Sequence, residues 1–191
     1  MGATTTQGTG NGSASNIKPL ILNGSVKTAN IEPNAVTAAK LDNNALSKVS
    51  FVLDTEAINL DSSHANIPLI LDRAAGVQVG LPKATGSGDT YKFYVKTTVT
   101  SVYYTINSYD NGDKMIGVAF GSDDETPLTG TPTAIAMWVA AANQDIFRMD
   151  GTTQGGIKGD FVEFIDIADG LFHVKAVITQ TSTEISPFDQ D

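Results

Sequence analysis

The sequence predicts an all-β fold, either a β-sandwich or jelly-roll-like domain or a barrel, preceded by an extended N-terminal arm. First, short apolar segments recur roughly every ten residues from Phe51 onward, separated by Gly, Asn, Asp and Pro, as in sandwiches and barrels. Second, apolar and polar residues alternate within several segments, which is typical of strands with one buried face. Third, the composition changes near residue 50. We therefore divide the chain into a tail and arm over residues 1–50 and a β-domain over residues 51–191.

The first fifty residues combine a polar tail with a regularly spaced apolar pattern. Residues 1–16 are mostly Gly, Thr, Ser and Asn, a composition with little to bury. Apolar side chains then occur at every fifth position: Ile21, Val26, Ile31, Val36, Leu41 and Leu46. This interval forms no stripe on an α-helix, and it changes face along a strand. The pattern predicts an extended arm that contacts a surface once per interval.

The predicted arm lacks the apolar surface to order itself. One buried side chain in each interval contributes less free energy than ordering the backbone of that interval costs. We therefore expect a partner surface to order the arm. Two other structures stay open. One is a short helix that begins with Asn34 as N-cap, and the other is a pentapeptide-type solenoid, which would fall short of the roughly three repeats that stacking needs.

The β-domain contains eleven predicted strands. In order they span residues 51–54, 57–60, 67–73, 76–82, 90–99, 101–107, 113–120, 133–142, 145–150, 159–167 and 171–179. Two segments show the alternation clearly, with Tyr91, Phe93 and Val95 on one face of the fifth and Val102, Tyr104 and Ile106 on one face of the sixth. Each of these two strands should therefore have one dry side.

The eighth segment and two turn sequences carry further predictions. The eighth segment is apolar on both faces and holds the sole tryptophan, Trp138, which predicts a central strand or one whose outer face meets another subunit. The sequences Asp110–Asp113 and Asp150–Gly151 contain residues that tolerate positive φ, so they predict tight hairpins. No long helix is predicted.

Composition excludes several classes of function. A net charge of −9 with only 12 Lys and Arg argues against nucleic-acid binding, which needs clustered positive charge. The absence of cysteine excludes disulfides, thiolate nucleophiles and thiolate metal sites. We find no apolar run long enough to span a membrane and no secretory signal. The chain is expected to be made in a cytoplasm and to fold there without crosslinks.

The two histidines do not predict a catalytic site. His173 should point outward beside Lys175, and His64 lies in a predicted turn. Neither has a nucleophile, base and acid set around it. We therefore predict no catalytic residues and no enzymatic activity.

The carboxylates predict solvated acidic loops rather than a metal site. They cluster at Asp123–Glu125 and at a second set consisting of Asp160, Glu163, Asp166 and Asp169. Neither cluster has the alternating order of an EF-hand calcium loop. A hydrolase would need two carboxylates in one cleft, and a spacing of three places Glu163 and Asp166 on opposite faces of a regular strand. No metal and no cofactor are predicted.

Three stretches of the chain resemble known phage proteins. GSVKTANIEPNAVTAAKL, residues 24–41, resembles a linker near the N-termini of tailed-phage fibre and virion structural proteins. VQVGLPKATGSGDTYKFYV with the later NGDKMIGV, and residues 147–188, are similar to the capsid decoration (cement, or auxiliary head) proteins of tailed bacteriophages. The resemblance is carried by glycines and strand patterns rather than by catalytic residues.

The resemblance implies a virion structural protein on the outer surface of a bacteriophage capsid. It implies a β-rich domain that forms a homotrimer and an N-terminal arm that reaches over neighbouring capsomers of the major capsid protein. In this interpretation Ile21, Val26, Ile31, Val36, Leu41 and Leu46 are the capsid-binding residues of the arm. The alternative is a tail or head fibre component that contacts the host surface.

Overall fold

The computed structural model describes residues 50–108, 112–123, 135–181 and 183–190. The six predicted arm residues lie outside these ranges, so the arm stays a prediction. The strands of the described residues are β1 Phe51–Leu53, β2 Ala57–Asn59, β3 Pro68–Leu71, β4 Val77–Gly80, β5 Thr90–Val95, β6 Tyr104–Asn107, β7 Lys114–Asp123, β8 Ile135–Val139, β9 Ile146–Met149, β10 Phe161–Ala168, β11 Leu171–Gln180 and β12 Phe188–Asp189. A 3-10 turn, Ser62–His64, separates β2 from β3.

The strands form two mixed sheets that share one hydrophobic core. The larger sheet has the order β1-β3-β5-β10-β11-β7-β8, and the smaller has the order β12-β9-β6-β4-β2. The predicted all-β fold is confirmed, and of the alternatives considered the two-layer sandwich is the one found. Each of the eleven predicted segments corresponds to one strand, and β12 is the addition. Among the described residues no helix is long and apolar enough to cross a membrane.

The first six strands alternate between the two sheets, which makes their pairing parallel. β1, β3 and β5 lie side by side in the larger sheet, while β2, β4 and β6 lie side by side in the smaller one. Parallel neighbours need a crossover connection, and here each crossover contains a strand of the opposite sheet rather than a helix. This part of the chain therefore winds as three coils between two sheets.

The core is built from the inward-facing residues of both sheets. β5 buries Tyr91, Phe93 and Val95 and exposes Lys92, as the alternation predicted. Phe164 packs edge to face on two rings, with centroids 5.8 Å apart to Phe93 of the same sheet and 6.0 Å apart to Phe147 of the smaller sheet. Edge-to-face contacts of this kind stabilise beyond the area that they bury. Phe164 is thus the ring that joins the two sheets.

A buried tyrosine connects neighbouring coils formed by β1 to β6 through hydrogen bonds. The Tyr104 hydroxyl donates to the Thr97 carbonyl at 2.7 Å and accepts from the Arg73 amide at 3.1 Å. Burial raises the pKa of this hydroxyl. Tyr104 and Ile106 face the core as predicted, whereas Val102 lies before β6 and is exposed, so its placement on the buried face was wrong.

β8 is an edge strand, not the central strand that its apolar sequence first predicted. It pairs only with β7 in the described sheet, and Ile135, Met137 and Val139 on its outer face are exposed. Its inner face carries Trp138, whose Nε1 donates to Oε1 of the fully buried Gln180 at 3.2 Å. The other prediction for this strand, an outer face that meets another subunit, is not tested by these contacts.

Asp110 and Asn111 of the predicted Asp110–Asp113 hairpin lie outside the described residues, but β6 and β7 belong to different sheets, so the prediction that a tight hairpin joins them was wrong. Asp150–Gly151 forms a local turn, with Gly151 at φ 81°, but it too leads from one sheet to the other. The tight antiparallel hairpin joins β10 to β11 through Asp169 and Gly170, where Gly170 has φ 71°. Turn residues alone do not reveal which sheet the next strand joins.

Truncation of Phe164 tests the assignment of this ring to the centre of the core. Phe164→Ala should lower the free energy of unfolding by about 3–5 kcal/mol, because it leaves a cavity between Phe93 and Phe147. Urea unfolding of the full chain measures this change. Lys175→Ala, at an exposed position of β11, should change the same quantity by about 0.5 kcal/mol or less. Equal effects of the two substitutions would contradict the assignment.

Candidate functional site

One row of side chains crosses all seven strands of the larger sheet on its outer face. The strand registers place one residue from each strand in it, in the order Val52, Ile70, Tyr94, Phe161, Val177, Phe120 and Met137. All seven are apolar or aromatic. Directly opposite residues on neighbouring strands have Cβ atoms about 5 Å apart, so the row is a continuous strip. We call it the apolar row.

The apolar row is open to solvent along most of its length. The exposed fractions of its most open members are 45% for Val52, 41% for Tyr94, 53% for Val177, 38% for Phe120 and 59% for Met137. Ile70 and Phe161 are half-buried. Soluble monomers rarely expose large contiguous apolar patches, and such patches mark interaction surfaces. The apolar row is therefore the candidate functional site of the β-domain.

A mixed row runs beside the apolar row and gives it a polar flank. Register places Lys175 opposite Glu163, and Glu163 opposite Lys92. The Lys92 Nζ lies 2.9 Å from the half-buried Glu163 carboxylate, and this hydrogen bond raises the pKa of Lys92. Val118 and Val139 continue the same row at the β8 edge. An apolar centre with a charged margin is the usual anatomy of a protein interface.

The two histidines lie where the sequence placed them. His64 ends the 3-10 turn, and its Nδ1 lies 2.9 Å from the carboxylate of Asp61, the residue that caps the turn. His173 is half-buried on the outer face of β11, on the same face as Lys175. Hydrogen bonds from Ser63 and His64 hold the pKa of Asp61 below its usual value. These contacts give His64 a structural role in the turn.

Asp166 is a buried structural carboxylate, so its assignment to a solvated acidic loop was wrong. It accepts hydrogen bonds from the backbone amides of Thr85, Gly86 and Ser87, at 2.6–3.2 Å, and from the Ser87 hydroxyl at 2.9 Å. Burial raises the pKa of Asp166, but these hydrogen bonds outweigh burial and hold it below its usual value. The glycine-rich loop after β4 is therefore folded around this one side chain.

Asp160 is also buried, so its assignment to a solvated acidic loop was wrong as well. It accepts from the amides of Gly156, Ile157 and Thr179 at 2.8–3.1 Å. Here burial dominates, and the pKa of Asp160 is raised despite these bonds. Through these hydrogen bonds the carboxylate links the connection between β9 and β10 to the end of β11.

The remaining described carboxylates do not converge on one cleft, and Asp124 and Glu125 lie outside the described residues. Glu163 faces outward and Asp166 inward, which confirms the opposite faces predicted from their spacing. Asp169 is exposed in the β10–β11 hairpin, and Asp123 is described only by its backbone. Within the described ranges there is no group of three or more His, Cys, Asp or Glu side chains that could hold a metal ion.

No family model, no curated protein and no solved structure matches this chain in comparisons with known proteins. The apolar row, rather than a relative, is therefore the feature from which a function is inferred. Sequence reasoning missed this row because its members come from seven strands whose pairing was unknown. The one partial signal for an exposed apolar surface was the eighth predicted segment, now β8, in which apolar residues occupy both faces instead of alternating with polar ones.

Neutralisation of Asp166 tests the role of its hydrogen bonds. Asp166→Asn should lower the free energy of unfolding at pH 7 by about 1–3 kcal/mol, because amide donors lose a charged acceptor. The folded-state pKa is lowered, so this stabilisation is present above the unfolded value of 3.8 and is lost as the pH falls through the folded pKa. The difference between the variant and the natural chain should therefore shrink from pH 7 to pH 3 in urea unfolding.

The control for this measurement is Asp169→Asn, in the exposed hairpin that follows β10. Its carboxylate makes only a surface ion pair at 3.4 Å to Lys83, so the stability change should be small at both pH values. A difference for Asp166→Asn that stays constant or grows in acid would contradict the assigned role.

Proposed function

We propose that this protein is a bacteriophage virion structural protein that decorates and cements the outer surface of the capsid. In this proposal the β-domain associates as a homotrimer and the N-terminal arm binds the major capsid protein. The observation that carries the proposal is the apolar row, an exposed strip with no covering element among the described residues. The resemblance of two sequence stretches to capsid decoration proteins supports the same function, as does the resemblance of residues 24–41 to a linker of phage virion structural proteins.

The apolar row is assigned to contacts between copies of the β-domain. It ends at β8, whose outer edge has no partner strand in the described part of the chain. A neighbouring copy that covers Val177, Phe120 and Met137 would remove from water the most exposed stretch of the row. The net charge of −9 keeps unassociated copies soluble, and the apolar row supplies the opposing attraction.

The arm is assigned to grooves between major capsid subunits. Val26, Ile31, Val36 and Leu41 would each enter a shallow groove that is formed by more than one subunit. Such composite grooves are present only in the assembled shell, so binding would stabilise the shell and not its separate subunits. The arm and the apolar row therefore have different partners in this proposal.

A fibre component that contacts the host surface is the second candidate. It is favoured by Tyr103, an exposed tyrosine in the loop before β6 that packs against Arg148. The number of copies per virion distinguishes the two candidates. A cement protein should be present in hundreds of copies per particle and a fibre in tens.

A charge placed in the apolar row tests its role in self-association. Val177→Asp in the full chain should shift the protein from trimer to monomer, because an unpaired carboxylate would be buried at the contact. Sedimentation velocity at several concentrations measures the shift. Ser101→Asp adds the same charge in the exposed loop between β5 and β6 and should leave the trimer intact. A monomeric natural chain, or a trimer that tolerates Val177→Asp, would overturn this assignment.

Polar substitutions in the arm test the capsid contact separately. Val26→Asn, Ile31→Asn and Val36→Asn, combined in the full chain, should greatly reduce occupancy on expanded capsids, as should deletion of residues 1–50. Thr28→Asn and Thr37→Asn alter intervening positions and should bind normally. Occupancy is measured by gel densitometry of purified particles. Undiminished binding of the triple variant would remove the arm from the mechanism.

A further inference from the structure

β8 is the edge strand of the described sheets that is best suited to pair with another strand. The other edge strands, β1, β2 and β12, are two or three residues long, whereas β8 has five. Its sequence, IAMWV, contains no charge and no proline, and its described pairing with β7 shows no bulge. These are the devices that usually protect an edge, and an unprotected edge pairs readily with a further strand.

The free side of β8 presents the backbone groups of three residues. The Ala140 amide donates to the Gly117 carbonyl at 3.0 Å, and from there every second residue of β8 bonds to β7. Ile135, Met137 and Val139 are the residues in between, so their N–H and C=O groups point away from β7. No described strand pairs with this side of β8. The edge therefore offers a donor and an acceptor from each of these residues to an added strand.

The core-facing side of β8 is only partly covered. Trp138 and Ala140 pack against the core, yet both are half-buried. By comparison Ala119, which lies opposite Trp138 on β7, is fully buried. On the other face Met137, the last member of the apolar row, is 59% exposed. A strand that pairs with β8 would therefore need apolar side chains on both of its faces.

The N-terminal arm contains the sequence of a strand of the same sheet. Residues 19–22 read PLIL, which is also the sequence of β3, Pro68–Leu71. In β3 the two leucines are fully buried in the core, whereas Ile70 faces outward in the apolar row. The chain therefore already uses this sequence as a strand that is apolar on both faces. The same alternation of side chains in residues 19–22 meets the requirement of the β8 edge.

We propose that residues 19–22 of one copy add as a strand to the free edge of β8 in a neighbouring copy. The backbone of the added strand pairs with the N–H and C=O groups at the edge, as in other cases of strand addition. Its two leucines would cover Trp138 on the inner face, and Ile21 would extend the apolar row beyond Met137. This inference rests on the proposed homotrimer and deepens it, because it names the segment that links one copy to the next.

The position of β1 favours a neighbouring copy as the acceptor. β1 directly follows the arm, and it forms the edge of the larger sheet opposite to β8. Six spacings of about 4.8 Å put the two edges about 29 Å apart, so in its own copy the segment would have to double back across the whole sheet. Residues 23–50 can extend over up to about 90 Å, which is enough to reach the next copy. A head-to-tail contact of this kind, repeated about a threefold axis, closes a ring and occupies every β8 edge.

Engineered cysteines test the contact directly, because the natural chain has none. Ile21→Cys is combined in the full chain with Ile135→Cys, Met137→Cys or Val139→Cys, one for each position that residue 21 could face across the edge. Paired residues of neighbouring strands have Cα atoms about 5.5 Å apart, a separation that a disulfide spans. After oxidation we expect at least one combination to give interchain disulfides and a covalent trimer on a non-reducing gel.

The control for the crosslinking is Ile21→Cys combined with Ser101→Cys, at an exposed position of the loop between β5 and β6. This combination should stay monomeric on the same gel. Absence of interchain disulfides in all three β8 combinations overturns the proposal. A disulfide that closes within one chain overturns it as well, because it places the segment on the β8 edge of its own copy.

Charges at the two leucines test the same contact by a second readout. Leu20→Asp with Leu22→Asp should raise the protein concentration at half-association about tenfold or more, because unpaired carboxylates would be buried beside Trp138. Sedimentation velocity measures this change, and the emission of Trp138, the sole tryptophan, should shift to longer wavelength as water reaches the ring. Thr4→Asp with Thr6→Asp adds the same charges at the same spacing in the polar tail and should leave both readouts unchanged. Unaltered association and emission in the leucine variant would contradict the proposal.

Sedimentation of the natural chain distinguishes failure of this proposal from failure of the proposed function. A monomeric natural chain removes the homotrimer and, with it, the strand addition. A trimeric natural chain that gives no β8 disulfide and tolerates the two aspartates leaves the homotrimer in place and overturns the strand addition alone. The triple arm variant at Val26, Ile31 and Val36 should still form the trimer, because its substitutions lie outside residues 19–22.

Discussion

The alternation of side chains along each strand between a buried and an open face is the constraint on which this structure depends. Because the chain passes repeatedly from one sheet to the other, each strand contributes its inner residues to a single core. The two layers meet where Phe164 of the larger sheet packs on Phe147 of the smaller one. Because the inner positions form the core, the polarity of the outer positions can vary without disturbing it. The outward-facing side chains of the two sheets differ in this polarity.

The loops between sheets are organised by buried carboxylates. A fold that lacks helices in its described part must satisfy loop amides by other means, and acidic side chains accept several amide hydrogen bonds at once. Asp166 does this for the loop after β4, and Asp160 and the half-buried Asp150 do it around the connection from β9 to β10. Asp160 and Asp166, which the sequence placed in solvated loops, are therefore part of the framework.

The two outer faces differ in the contacts that they can make. The apolar row offers dry contact to a flat protein surface. The outer face of the smaller sheet instead carries polar side chains, among them Gln78, Thr105 and Arg148. Since the sheets are separated by the core, one face can be occupied without covering the other.

The sequence by itself determined the all-β class, the eleven strand segments and the inward face of β5, because these follow from local alternation and turn composition. It also placed Glu163 and Asp166 on opposite faces. Only the tertiary structure decided which strands pair, and hence that the first six wind in parallel and that β6 and β7 belong to different sheets. The apolar row could not be predicted for the same reason: it is assembled from residues far apart in the chain, and pairing register is a non-local property.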